Sequence, residues 1–90
     1  MNKMKFLVVW WWEPKDSKEV TERFIQWKPK GKNKVLYPIS TMVGMNKAFQ
    51  IVETEDIAEA QKDVAHWLDI CTFKIIPIMD SSEAVAVSRQ

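Results

Sequence analysis

Residues 4–12, Met-Lys-Phe-Leu-Val-Val-Trp-Trp-Trp, constrain this chain more than any other segment, because they are apolar on both alternating faces. Side chains along a strand point to opposite sides with a period of two. Met4, Phe6, Val8, Trp10 and Trp12 therefore face one way, and Leu7, Val9 and Trp11 the other, with Lys5 as the sole charge. A half-exposed strand would carry polar residues on one of these faces. The segment is expected inside a sheet that is covered on both sides. A run of this kind after Lys3 and Lys5 also has the outline of a secretory leader. It is too short for a bilayer span, which needs about 20 residues. It stops at Glu13-Pro14 with no small-residue cleavage site behind it. A buried strand in a cytoplasmic protein, with Cys71 reduced, is the expectation.

The rest of the composition narrows the class. Ninety residues, 47% of them hydrophobic, predict one domain spanning 1–90, burying roughly 60–65% of its unfolded surface. A net charge of +1 argues against a general binder of nucleic acid or membrane surfaces, which usually carry a basic excess. Cys71 and His66 each stand alone among their residue types, so no intrachain disulfide and no soft-ligand metal cage is expected. Nothing in the chain calls for a cofactor, and Gly31 and Gly44, the only glycines, make no phosphate-binding loop.

After the first strand, Pro14 and Asp16-Ser17 mark a helix start, with Asp16 and Glu19 at capping-box spacing. Val20, Phe24 and Trp27 recur at helical spacing as an apolar stripe, and Lys28-Pro29-Lys30-Gly31 ends the helix. Lys34–Gly44 reads as a second strand and Ala48–Thr54 as a third, with a turn around Gly44-Met45-Asn46-Lys47 between them. Thr54-Glu55-Asp56 opens a second helix with a predicted buried stripe of Ile57, Ala60, Val64, Trp67 and Leu68. Ile70–Met79 is a fourth strand, and Asp80-Ser81, with Glu83 at capping-box distance, opens a short C-terminal helix. The order β-α-β-β-α-β is the ferredoxin-like, α+β pattern: a four-stranded antiparallel sheet with strands one and three in the centre. Pro38 and Pro77 fall in strands two and four. A strand proline is tolerated mainly at a sheet edge, because it cannot donate to the ladder, so both prolines support that order.

Two helices cover one face of such a sheet, yet the other face is apolar as well. Leaving it open would create a larger patch than monomers usually expose. Burying about 700 Å² of apolar area per subunit would contribute about 17 kcal/mol before the costs of association. A face-to-face homodimer with two-fold symmetry is the simplest cover, since one patch then serves both partners. A tail helix folded back as a partial lid is the alternative.

The segments Lys5-Phe6-Leu7-Val8-Val9-Trp10-Trp11-Trp12-Glu13-Pro14, Arg23-Phe24-Ile25-Gln26-Trp27-Lys28-Pro29 and Phe49-Gln50-Ile51-Val52-Glu53-Thr54 resemble a small prokaryotic family catalogued only as a domain of unknown function. That family is similar in fold to the dimeric α+β-barrel superfamily. The resemblance implies a pocket between sheet and helices in each subunit. It carries over no catalytic residues, because the matching motifs are core and cap features.

Within that frame Trp10, Trp12, Tyr37 and His66 are the candidate ligand-binding residues. Trp10 and Trp12 share a face while Trp11 opposes them, so the three indoles cannot form one platform. His66 is the only imidazole, the usual general base near neutral pH. Its helical phase turns it toward the side of Glu59 and Asp63 and away from the core, where Asp63 or Asp69 would pair with it. Tyr37 and Glu53 fall on different faces by strand phase, which builds no acid–base pair. Cys71 reads as a buried, inert thiol rather than a nucleophile, and Lys28, Lys30, Lys32 and Lys34 read as a solvated basic loop.

The function these features favour is a small homodimer binding a small apolar or aromatic metabolite between sheet and helices. A non-catalytic structural or regulatory oligomer is the alternative. An RNA-recognition module shares the element order but needs two exposed aromatics on strand three. Lys47-Ala48-Phe49-Gln50-Ile51-Val52 keeps one of them, so neither nucleic acid nor membrane is an expected partner.

Overall fold

The computed structural model describes residues 3–90. Four strands, β1 (Met4–Trp11), β2 (Lys34–Thr41), β3 (Lys47–Thr54) and β4 (Thr72–Ile78), form one antiparallel sheet in the order β2-β3-β1-β4. Helices α1 (Ser17–Gln26) and α2 (Ile57–Val64) connect the strands, and α3 (Ser81–Ser88) ends the chain. This is the ferredoxin-like α+β arrangement expected from the element order. The two-sided apolar strand is central, and Pro38 and Pro77 both lie in edge strands.

Strand registry divides the sheet into two faces. Phe6 opposes Val52 and Pro77, Val8 opposes Gln50 and Ile75, and Trp10 opposes Ala48 and Phe73. On this inner face Phe6, Val8 and Val52 are buried together. A second cluster joins Val20 of α1 to Trp67 and Cys71. Trp10 and Phe73, stacked with ring centroids 5.5 Å apart, touch both clusters and tie the sheet to the helix layer. On the outer face Leu7 pairs with Ile51 and Ile76, and Val9 pairs with Phe49.

The two-strand phase is broken in β2. Register shifts fall between Val35 and Tyr37 and between Tyr37 and Ser40, on either side of Tyr37, with Pro38 inside the second. A bulge inserts a residue and reverses which side the following ones face. Tyr37 is thereby brought opposite Ile51 and stacks on Phe49 at 5.4 Å. It shares the outer face with Glu53, whose parity on β3 is the same, which corrects the opposite-face reading of that pair. β2 also ends at Thr41 rather than Gly44. Met42 N–H bonds the Lys47 carbonyl and Gly44 takes φ +77°, a left-handed turn geometry that suits glycine.

The helix ends are built differently from one another. At α2 the Asp56 carboxylate accepts from Ala58 N–H at 3.0 Å, a working N-cap. At α1 no capping box forms. Pro14–Asp16 make a 3-10 turn in which Asp16 N–H already bonds the Glu13 carbonyl, and Glu19 turns to Arg23 at 3.0 Å instead. At α3 the Asp80 side chain likewise makes no cap and pairs with Lys5 at 3.0 Å. The α2 stripe is shorter than expected: Ala60, Val64 and Trp67 are buried, but Ile57 is 46% and Leu68 52% exposed. After Val64 the helix tightens into a 3-10 turn over Ala65–Trp67, and its larger step per residue carries Leu68 off the buried side.

No residue of α3 is buried, and Val85 and Val87 stand more than half exposed. A tail folded back as a lid is therefore not what this helix forms.

Candidate functional site

Helices α1 and α2 stand over the inner face of the sheet, but small residues meet where the layers would otherwise fill. Ala48 on β3 and Ala60 on α2 are both buried and neither reaches far from its backbone. Between them lies a chamber of about 380 Å³. That volume falls in the range of small-molecule sites, about 300–1,000 Å³. Four indoles, Trp10, Trp12, Trp27 and Trp67, line it, and Trp27 meets Trp67 edge to face at 5.8 Å. Trp11, on the opposite face of β1, lies beneath the Lys47 ammonium, 5.7 Å from the ring centre. The split between Trp10 and Trp12 on one side and Trp11 on the other follows directly from strand alternation.

Polar groups enter the chamber from three places. The end of β1, the first turn of α1 and the β2–β3 turn bring together Trp12, Ser17 and Asn46. There Trp12 Nε1 donates to Ser17 Oγ at 3.3 Å, and Ser17 Oγ donates to Asn46 Oδ1 at 3.4 Å. Gln50 projects from the middle of the sheet among Ala48, Val52 and Val8, and its amide makes no side-chain hydrogen bond among the described residues. Asn33, Asp63 and Trp27 form the third group. Asn33 Nδ2 donates to Asp63 Oδ2 at 2.9 Å and to the Glu59 carbonyl at 3.1 Å, while Lys30 N–H and Gly31 N–H both donate to Asp63 Oδ1, at 2.7 and 2.8 Å. Asn33 Oδ1 and Trp27 Nε1 are buried without a partner among the described residues.

The strongly paired charges sit around this site rather than in it. Hydrogen bonds from Lys62 Nζ and from the Lys32 N–H hold the Glu59 carboxyl below its usual range. The Arg23 guanidinium forks onto Asp69 at 2.8 and 3.0 Å, which lowers the Asp69 carboxyl and raises Arg23. Cys71 is packed with Val20 and Trp67, and desolvation pushes its thiol up to about 11 despite the opposing Arg23 charge. It stays protonated near neutral pH, as an inert core thiol should.

Of the residues singled out from the sequence, Trp10 and Trp12 line the chamber. Tyr37 lies on the other face of the sheet against Phe49, and His66 is exposed on the turn after α2. His66 contributes only its carbonyl, to Arg23 at 3.0 Å; the carboxylates expected to pair with its ring are engaged elsewhere, Asp69 by Arg23 and Asp63 by the loop before β2. Asn33, Gln50 and Asp63 were not among the candidates. Gln50 carried a usable signal, since it shares strand parity with Ala48 and Val52 and is the polar member of an otherwise core-facing set. The Lys28–Lys34 segment, read as a solvated basic loop, has the amides of Lys30, Gly31 and Lys32 bound to acidic side chains of α2.

Among the described residues no group of three His, Cys, Asp or Glu side chains could hold a metal ion, and no helix is long and apolar enough to cross a membrane. A family model described as a domain of unknown function, DUF3303, matches residues 4–90. No curated protein matches the chain.

Proposed function

The chain belongs to the DUF3303 family, and from that premise, which leaves the chemistry open, we propose that it is a small-molecule-binding protein of the dimeric α+β-barrel type, holding a flat apolar or aromatic ligand between sheet and helices. The observation that carries this reading is the chamber itself, about 380 Å³ walled by four indoles. Indole faces offer stacking surfaces to an aromatic guest. Binding is favoured over turnover by the character of the lining: hydroxyls, amides and indoles, with one carboxylate, Asp63, already receiving three N–H donors. A nucleophile beside a base is not among these groups.

A homodimer through the outer sheet face belongs to the same reading. The chain exposes 6634 Å², against about 5,500 Å² expected of a folded monomer of this mass. The excess is on the order of what one partner contributes to a standard interface, about 800 Å². The outer face supplies apolar surface for it in Leu7, Val9, Phe49, Ile51 and Ile76. A second copy offers the same patch in return.

The test is a titration of the purified protein with N-phenyl-1-naphthylamine, an uncharged dye that brightens in apolar sites. Saturable enhancement at one dye per chain is expected, lost in Ala60→Phe, whose ring fills the chamber, while circular dichroism stays that of the folded protein. Absence of saturable binding, or binding unchanged in Ala60→Phe, overturns the reading in favour of a structural oligomer.

A further inference from the structure

We infer that Gln50 is the specificity-determining residue of the chamber, and that the guest carries a lactam edge, an N–H beside a C=O, which pairs with the Gln50 side-chain amide through two hydrogen bonds. The inference rests on the reading of the chamber as a ligand site and names the chemistry of its guest. β3 is an interior strand, and the inner-face neighbours of Gln50, Ala48 and Val52 along the strand and Val8 across it, are all buried. Gln50 itself is only partly buried and lines the chamber, so the surface it keeps opens into the space between sheet and helices. Its amide makes no side-chain hydrogen bond among the described residues, yet neither amide atom is among the occluded, partnerless ones. Nitrogen and oxygen are therefore both within reach of a guest. A primary amide offers a donor N–H and an acceptor oxygen side by side on one edge. Both contacts come from one planar group, so their spacing is that of the amide itself. No bond of the fold fixes which way the amide is turned, and it can present either sense of that edge.

Charge and geometry exclude the neighbouring alternatives. Among the described residues no Lys, Arg or His lines the chamber, and its one ionisable side chain is Asp63. A carboxylate guest would accept from Gln50 Nε2 but set its second oxygen against Gln50 Oε1, acceptor against acceptor, with no counter-charge beside it. An ammonium guest would satisfy Oε1 and leave Nε2 without an acceptor. It gains little from Asp63, whose oxygens already receive Lys30 N–H, Gly31 N–H and Asn33 Nδ2. A plain hydrocarbon fits the walls but takes water from the Gln50 amide without replacing its bonds, which is costly. A lactam edge satisfies both amide atoms at once.

Three probes of matched shape test the pairing: 4-methyl-2-quinolone, which carries the lactam edge, its isomer 1-methyl-2-quinolone, which has lost the N–H, and 1-methylnaphthalene. Each is titrated into the nitrogen-15-labelled protein while the side-chain amide signals are followed. The Gln50 pair is the one missing in Gln50→Met, a nearly volume-conserving change that removes no bond of the fold. The 4-methyl isomer should bind the wild type about tenfold tighter than the 1-methyl isomer, the difference one well-placed hydrogen bond usually makes. It should also move a Gln50 side-chain N–H signal downfield, which the hydrocarbon should not. Gln50→Met should weaken the 4-methyl isomer about tenfold and leave 1-methylnaphthalene no weaker. The isomer comparison uses the wild type alone, so it decides the matter even if the variant does not fold. Equal affinities of the two isomers, equal losses for quinolone and hydrocarbon in Gln50→Met, or no quinolone binding where N-phenyl-1-naphthylamine binds, overturns this inference and leaves the chamber standing as an apolar site. No saturable binding of that dye removes the chamber reading, and the inference with it.

Discussion

Cys71 illustrates how far a single residue can be read from the chain and where physics must be added. Its position at the start of a strand, with no histidine spaced to activate it, already suggested an inert thiol. Packing against Val20 and Trp67 supplies the cause, since burial raises the thiol from 9.0 to about 11. Between those values the unfolded chain releases a proton that the folded chain keeps. Stability present below pH 9 is therefore lost as pH rises toward 11. The urea midpoint of the wild type should fall more steeply over that interval than that of Cys71→Ala, and a thiol reagent at pH 8 should react slowly with native protein and promptly in denaturant. Parallel midpoints for the two proteins would refute the assignment. Gln50 and Tyr37 mark the two limits of residue-level reading. Gln50 was legible through parity alone, whereas Tyr37 required knowledge of a bulge beside Pro38 that strand periodicity does not carry.

At the scale of elements, sheet order was the most legible feature, because an apolar strand must be central and strand prolines must be peripheral. The fastening of the loop before β2 to α2 was not. It uses main-chain N–H groups of Lys30, Gly31 and Lys32 against Asp63 and Glu59, and residue types say nothing about where a loop's amides point. The same limit explains the caps: Asp56 caps α2, while the similarly placed Asp16 does not cap α1, because a 3-10 turn has already engaged its backbone. Gly31 is the element's tight point. A Cβ there would collide with the Glu59 carbonyl oxygen and stand 2.8 Å from Asn33 Nδ2. The first of these is helix backbone, which has little room to give. Gly31→Ala should therefore destabilise the protein by about 1–3 kcal/mol in urea unfolding. It should also weaken dye binding, since Asn33 hangs on the same loop. A variant as stable as the wild type would show that the loop is not held as tightly as its bonds imply.

The whole molecule is more extended than its length requires, with a radius of gyration of 14.7 Å and extents of 49 × 27 × 18 Å. A compact domain of this length would have a radius near 12 Å, so roughly a fifth is added. The helix layer covers one side of the sheet only, and α3 buries nothing of its own. A second copy laid on the outer face would cover Leu7, Val9 and Ile51 on both chains at once. Charge placed at the centre of that patch should separate the copies without touching the core, because Ile51 faces away from Phe6, Val8 and Val52. On the proposed dimer, the wild type is expected to sediment as two chains at micromolar concentration and Ile51→Glu as one. The chamber lies on the helix side of the same sheet, so the variant should bind N-phenyl-1-naphthylamine with affinity within about twofold of the wild type, as independent sites do. A wild-type monomer under those conditions would refute the dimer while leaving the chamber untouched. Dye binding lost together with dimerisation would mean that the two faces of the sheet are coupled through β1 and β3, whose residues supply both.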